Sequence, residues 1–335
     1  MADMTEEKEG AGKVVTSLFP APSPSRKDLY HPRTSHRSWR PSWLTWTIVI
    51  LALGTLVAGF YPSAAGWISS YNQAQVIDGY LNEVEEVEPD AATQIALAHE
   101  YNEALTYGVI VEAGTNIPVG HAEPGEQKLD YSQMLKSNAD GIMGRIRIPS
   151  IDVDLPIYHG TSDEVLLKGA GHLQGSHLPV GGAGTRTVIT AHRGLANAVM
   201  FTNLDKVEVG DTFTLEVLGE VLVYRVSEIR VIQPEDTDTL RPEQGRDLAT
   251  LITCTPLGLN THRIVVTGER VIPTPQEDRD NAGMASDLPH FPWWLVGMGG
   301  GVAASGAYLY FQGKRDAART AWQRTEATKL VDVAH

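Results

Sequence analysis

Two uncharged apolar runs bracket this chain of 335 residues. Residues 43–61 (WLTWTIVILALGTLVAGFY) and 291–311 (FPWWLVGMGGGVAASGAYLYF) are each long enough, at 1.5 Å rise per residue, to cross a hydrocarbon layer of about 30 Å as a helix. Trp and Tyr gather at their ends, where interface anchors belong. The second run contains Met298-Gly-Gly-Gly301, which suits a membrane helix better than a soluble one, with a buried soluble helix as the alternative. Between the runs the pattern changes twice. Over 68–105 apolar residues recur at helical spacing, with a break at Pro89-Asp90 and a second helix over 91–105 that Asp90 would N-cap. Residues 107–129 lose periodicity and collect Gly, Pro and Asn; loops of that length are usually functional or disordered. From Gly141 onward, alternation predicts strands over 142–148, 153–158, 186–191, 212–217, 221–232, 248–253 and 263–271. Short helices are expected at 162–168 and 198–206, and Gly219-Glu220 reads as a hairpin connection. Many short strands between Gly/Pro turns point to a mainly β fold, a closed or nearly closed barrel rather than βαβ units.

Charge orients these pieces. Arg26, Lys27, Arg33, Arg37 and Arg40 precede the first run, and Lys314, Arg315, Arg319, Arg324 and Lys329 follow the second. Basic flanks place both termini in the cytoplasm and the middle of the chain outside. Residues 62–290 hold 15 Lys/Arg against 33 Asp/Glu, an acidic balance that argues against nucleic-acid binding. The expected organisation is a disordered cytoplasmic tail (1–42), a transmembrane helix or signal anchor (43–61), and an extracellular helical segment (62–140). A catalytic barrel (141–272), a linker (273–290), a second transmembrane helix (291–311) and a cytoplasmic tail (312–335) follow. Ser63-Ala64-Ala65 resembles a signal-cleavage site, but the run before it is longer than the usual signal core, so an uncleaved anchor is favoured.

Cys254 is the sole cysteine. A lone thiol makes no internal disulfide and no thiolate-rich zinc site, and outside the cell it is open to oxidation. The bland reading is a small buried hydrophobe; the other is a nucleophile, which needs a base or cation nearby. His192 ends the strand Thr187-Val-Ile-Thr-Ala-His192, and Arg263 starts the strand after Cys254. His262 is a rival base, but neighbours in a strand face opposite ways, so His262 and Arg263 cannot share a site. His159 and His172 flank a short helix and read as structural or surface residues. A metal site from His192, Cys254 and His262 has no ligand spacing to support it. The acidic run Glu235-Asp-Thr-Asp238 invites calcium, yet offers few of the six or more oxygens needed and reads better as a solvated turn.

The segments Thr190-Ala-His-Arg-Gly194, Thr250-Leu-Ile-Thr-Cys-Thr-Pro256 and Asn260-Thr-His-Arg263 resemble those of sortases, and specifically of the pilus-assembling class C. Gly141–Pro149, Leu155-Pro-Ile-Tyr-His-Gly160 and Phe201-Thr-Asn-Leu-Asp-Lys206 extend the likeness over about residues 66–272. The resemblance implies a barrel of about eight strands, with Cys254 as nucleophile, His192 as acid/base and Arg263 as oxyanion or substrate stabiliser. It implies cleavage of a Leu-Pro-X-Thr-Gly-like sorting signal between Thr and Gly, then transfer from a thioester to a pilin lysine amine, at the membrane of a Gram-positive bacterium. No cofactor is required by that chemistry. Many class C sortases carry an Asp-Pro-aromatic lid over the cysteine; here 107–129 has His121-Ala-Glu-Pro124 instead, so Glu123, with His121, is the candidate plug. Thr253 is a further candidate for contact with substrate. Anchoring of surface proteins to peptidoglycan, a cysteine protease and a non-catalytic membrane scaffold are the alternatives.

Overall fold

The computed structural model describes residues 39–106, 109–110, 119–120, 123–124, 130–137 and 141–333. Helix α1 (Trp43–Glu83) is continuous over 41 residues. Pro62 lies inside the helix, forgoing one backbone hydrogen bond without ending it, so the apolar run 43–61 and the helical pattern that begins at 68 share one helix. Helix α2 (Ala91–Ala104) starts at the expected break, where the Asp90 side chain accepts from the Thr93 N–H at 3.1 Å. Four two-residue strands follow: β1 (Leu105–Thr106) pairs with β4 (Glu123–Pro124), and β2 (Val109–Ile110) with β3 (Val119–Gly120). His121 and the side chain of Glu123 lie outside the described residues.

The barrel is built from β5 (Ile142–Ile148), β6 (Val153–His159), β7 (Ala170–His172), β8 (Thr185–Thr190), β9 (Thr212–Val217), β10 (Glu220–Ile232), β11 (Asp247–Thr255) and β12 (His262–Arg270). It closes in the order β10-β12-β11-β8-β7-β6-β5-β9. Seven of these strands follow the alternation in the sequence. Three-residue β7 escapes it, being too short to show a period. Helix α3 (Asp163–Lys168), expected over 162–168, joins β6 to β7. The helix expected over 198–206 is not formed; only the turn Leu204–Lys206 is helical there. Met200 has φ +44°, a left-handed conformation that breaks an α-helix, while Ala198, Met200, Phe201 and Leu204 are buried as separate pegs in the core.

Alternation divides the barrel's apolar residues into two clusters. Ile146, Leu155, Ile157, Ile189, Leu215, Leu251, Ile264 and Val266 face inward and form the main core. Val188, Ile252 and Val265 face outward from β8, β11 and β12 and are covered by Leu173, Ile232 and Leu240. The chain leaves β10 at Ile232 beside Arg263 and must return to Asp247 at the opposite end of β11. That long connection, with Leu240 in its single helical turn, forms the cover.

After β12, α4 (Gln276–Asp280) and α5 (Trp293–Val333) complete the chain. Residues 47–308 form one compact unit. Within it Gly297 and Gly301 of α5 lie so close to Phe60 and Leu56 of α1 that a Cβ at either would stand 2.6 Å from the opposing side chain. Residues 39–46 with 309–333 belong to a second unit, in which Asp316 accepts from the Ser42 N–H at 3.0 Å and the Thr45 hydroxyl at 3.1 Å. Among the described residues one helix, α1, is long and apolar enough to cross a membrane.

Candidate active site

Cys254 and Arg263 are direct partners in the antiparallel β11/β12 ladder. Both lie on the barrel's outer face: Cys254 shares parity with outward Ile252, and Arg263 with outward Val265. On the other side of β11, β8 pairs in parallel up to Thr190↔Ile252. Two residues further along each strand stand His192 and Cys254, and the pairing persists past the regular ladder. The Ala191 N–H donates to the Ile252 carbonyl at 3.3 Å, and the Thr253 hydroxyl donates to the Ala191 carbonyl at 2.8 Å. With Ala191 in the inner core, His192 continues the outward parity of Val188 and Thr190. Cys254 and Arg263 are cross-strand neighbours, and His192, just past the end of β8, follows on the other side of β11, so the three gather as one row on the outer face.

Local chemistry fixes each member. The Arg263 side chain is 3% exposed, and its Nη1 donates to the Asn260 and His262 carbonyls at 2.9 and 3.0 Å. Asn260 reaches that position through a left-handed turn (φ +55°), a conformation Asn tolerates better than most residues. Gly194 turns the chain away after His192 with φ +75°, and a Cβ there would meet Leu257 of the β11–β12 loop. Cys254 and His192 are half-buried, open enough to meet a substrate.

A sortase-domain family model matches residues 146–271. Sortase C of Streptococcus pneumoniae is 39% identical, with 60% of this chain aligned to 98% of that one at a TM-score of 0.53. The chain belongs to the sortase family. Sortase C1 of Streptococcus agalactiae is similar at 40% identity, 60% and 100% coverage and a TM-score of 0.53. Among curated relatives, sortase A of Bacillus anthracis is 27% identical over 58% of this chain and 84% of its own length. The protein is thus a sortase-type cysteine transpeptidase on a closed eight-stranded barrel.

In this sortase burial acts on the row in opposite senses. It pushes the Cys254 thiol up, against the pull of the Arg263 charge. It pushes the His192 imidazole down, against the Asp163 carboxylate on α3. Both shifts favour the uncharged forms of the two side chains.

The remaining candidates are placed elsewhere. Thr253 points to the inner face, buried, with its hydroxyl committed to Ala191, and does not join the row. His262 faces away from Arg263, as parity demands, with Nδ1 2.9 Å from the Thr261 hydroxyl. His159 spans the Gly141 and Met134 carbonyls at 3.0 and 2.6 Å. His172 is fully buried between the Tyr131 hydroxyl and the His177 carbonyl, and that burial lowers its pKa to about 3. Among the described residues no group of three or more His, Cys, Asp or Glu is arranged to hold a metal, and Asp238 of the acidic run pairs with Arg241 at 2.9 Å. The sequence reading missed two residues beside the row: Asp163, whose charge reaches His192, and Arg193, which bonds to the end of β11.

Proposed function

We propose that Cys254, His192 and Arg263 cleave a Leu-Pro-X-Thr-Gly-like signal between Thr and Gly and pass the acyl group to a pilin lysine, polymerising pilus subunits. The alignment of the three on one outward row carries this reading. Cys254 Sγ, its proton passed to His192, attacks the Thr carbonyl carbon. The Arg263 guanidinium, always charged and rich in N–H donors, stabilises the oxyanion. His192 gives the proton to the departing glycine amine, leaving a thioester. A neutral lysine amine then attacks that thioester, His192 removes the extra proton, and the thiol is regenerated as the amide forms. Support for pilin as substrate comes from the relatives: the S. pneumoniae enzyme is described in connection with pilin substrate specificity. A pilus-related sortase C of group B Streptococcus is 36% identical over 58% of this chain and 95% of its own, at a TM-score of 0.50.

The segment 107–129 acts as a lid, with Glu123 as its plug; residues Val109–Ile110 lie beside the Thr237–Leu240 turn, which packs with Ile252 two residues before Cys254, and that supports this reading. Helices α1 and α5 hold the enzyme in the membrane as a two-pass hairpin, with the barrel outside and both termini in the cytoplasm of a Gram-positive cell. The close α1–α5 approach at Gly297 and Gly301 supports that topology.

The test uses the full chain in detergent, a Leu-Pro-X-Thr-Gly peptide and a pilin bearing an acceptor lysine. An adduct at Cys254 by mass spectrometry, absent in Cys254→Ala, followed by an isopeptide-linked product, is the expected result. Transfer only to a peptidoglycan-type amine would assign wall anchoring, free acid alone would assign a protease, and no adduct would remove the catalytic reading. Glu123→Ala is expected to speed thiol labelling of Cys254; labelling at the parent's rate would sink the lid.

A further inference from the structure

Arg193 follows His192 and takes no part in the chemistry above, yet its guanidinium is almost fully buried and every nitrogen is engaged. Nη2 pairs with Asp205 at 2.7 Å, Nε donates to the Thr202 carbonyl at 3.1 Å, and Nη1 donates to the Thr255 hydroxyl at 2.9 Å. The first two bonds hold the return of the loop 194–206. The third crosses to β11, one residue beyond Cys254. Regular β8/β11 pairing ends at Thr190↔Ile252, and the same register carried two and three residues further would set His192 by Cys254 and Arg193 by Thr255. Beyond that point the two strands are joined by the Ala191–Ile252, Thr253–Ala191 and Arg193–Thr255 bonds. Only the last lies past the row itself. Cys254 stays in the β11/β12 ladder, whereas His192 lies past the end of β8, its carbonyl accepting from the Phe201 N–H at 3.0 Å. The Arg193 bond is what ties this segment across to the Cys254 strand beyond the row.

We infer that Arg193 is a positioning residue that holds His192 and Cys254 opposite one another by bridging Thr255 to the Asp205/Thr202 loop. The inference rests on the assignment of Cys254 and His192 as nucleophile and acid/base. The Arg193 side chain is 7% exposed and its three nitrogens are taken up by Asp205, Thr202 and Thr255, so its effect runs through the backbone and not through contact with substrate. Its role differs from that of Arg263, whose charge acts directly on the thiol. Planarity matters: three acceptors in three directions match a guanidinium, whereas a lysine ammonium is a compact point charge on a flexible stem.

The experiment compares wild type, Arg193→Ala, Arg193→Lys, Thr255→Val and Arg193→Ala/Thr255→Val, each as full chain in detergent. For each, kcat and KM for signal peptide with an amine acceptor are measured beside the thermal midpoint. Thr255→Val keeps the Asp205 pair and the Thr202 bond, so it isolates the cross-strand link even where Arg193→Ala fails to fold. Misplacement of a reacting pair by about 1 Å costs up to about 100-fold, so kcat is expected to fall ~10- to 100-fold in Thr255→Val and Arg193→Lys with KM within about twofold. The double variant, where it folds, should be no worse than Arg193→Ala, because one link is lost in each. Variants that lose thermal stability while kcat per folded molecule stays at the wild-type value would overturn the inference. So would an additive double variant. A wild type that forms no thioester would instead strike the assignment of Cys254, which the same assay reads separately.

Discussion

At the scale of single residues the site depends on two opposed influences on one thiol. Burial raises the Cys254 pKa and the Arg263 charge lowers it. Alkylation proceeds through the thiolate, so its rate should still be rising at the ordinary cysteine value of about 8.5. Arg263→Ala removes the stabilising charge and should move the inflection to higher pH; Arg263→Lys retains charge and should move it less. Iodoacetamide labelling of the full chain between pH 6 and 10 measures this, and an inflection below about 8.5, or one that Arg263→Ala leaves in place, contradicts the account. His192 works in the other sense: its imidazole is held below the ordinary value, so it stays a proton acceptor down to mildly acidic pH. Cys254, His192 and Arg263 stood out in the sequence by residue type and by their places at strand ends, and the resemblance to sortases supplied the roles proposed for them. Their alignment was not legible there. Cys254 and His192 lie 62 positions apart, and only the parallel β8/β11 register sets them opposite. The same gap hid Arg193, whose bonds to Thr202, Asp205 and Thr255 no spacing in the sequence shows.

Among elements, strands with clean alternation were read to the residue, as at β5 and β9. Elements whose residues bury without a period were not. The stretch 198–206 has apolar residues at helical spacing, yet left-handed Met200 turns it into pegs. Arg145 sits on the outer face of β5, and nothing in the alternation shows that later chain buries it. The inner face of β12 gives a sharper test of how tightly the barrel is packed. Gly268 faces the stacked rings of Phe213 and Tyr224, whose centroids are 5.5 Å apart, and a Cβ there would stand 2.5 Å from Phe213 and 2.9 Å from Tyr224. Gly268→Val must push that stack aside, at a cost of about 1–3 kcal/mol. Thermal unfolding should show the loss, while the folded fraction keeps the wild-type labelling rate at Cys254, since Gly268 lies five residues beyond Arg263. Unchanged stability would mean the stack has room that the geometry denies.

For the molecule as a whole, the question is what fastens the catalytic barrel to its flanking helices. Arg145 makes two 2.6 Å bonds to Asp154, faces Glu216 at 3.6 Å and donates to the Met284 carbonyl at 2.8 Å. Ser286 completes the clasp, its hydroxyl donating to Asp154 and its N–H to Asp78 of α1. The stretch expected to be a plain linker is thus tied to β5, β6 and α1 through one guanidinium. Arg145→Met would bury the carboxylates without a cation, a loss of about 3–5 kcal/mol visible in thermal unfolding. The second fastening is steric. Gly297 and Gly301 stand four apart on one face of α5 and admit Phe60 and Leu56 of α1 to van der Waals contact, whereas Gly299 and Gly300 face open space. In the two-pass arrangement proposed above, small residues at this spacing would let the helices approach closely where lipid supplies no hydrophobic drive. Gly301→Leu should therefore part the helices, and Gly299→Leu should not. With Cys254 replaced by Ala, cysteines placed at 60 and 297 give a direct readout by oxidative crosslinking in membranes. Efficient crosslinking that survives Gly299→Leu but falls sharply with Gly301→Leu is expected. Equal crosslinking in both would show that the glycine face does not set the approach.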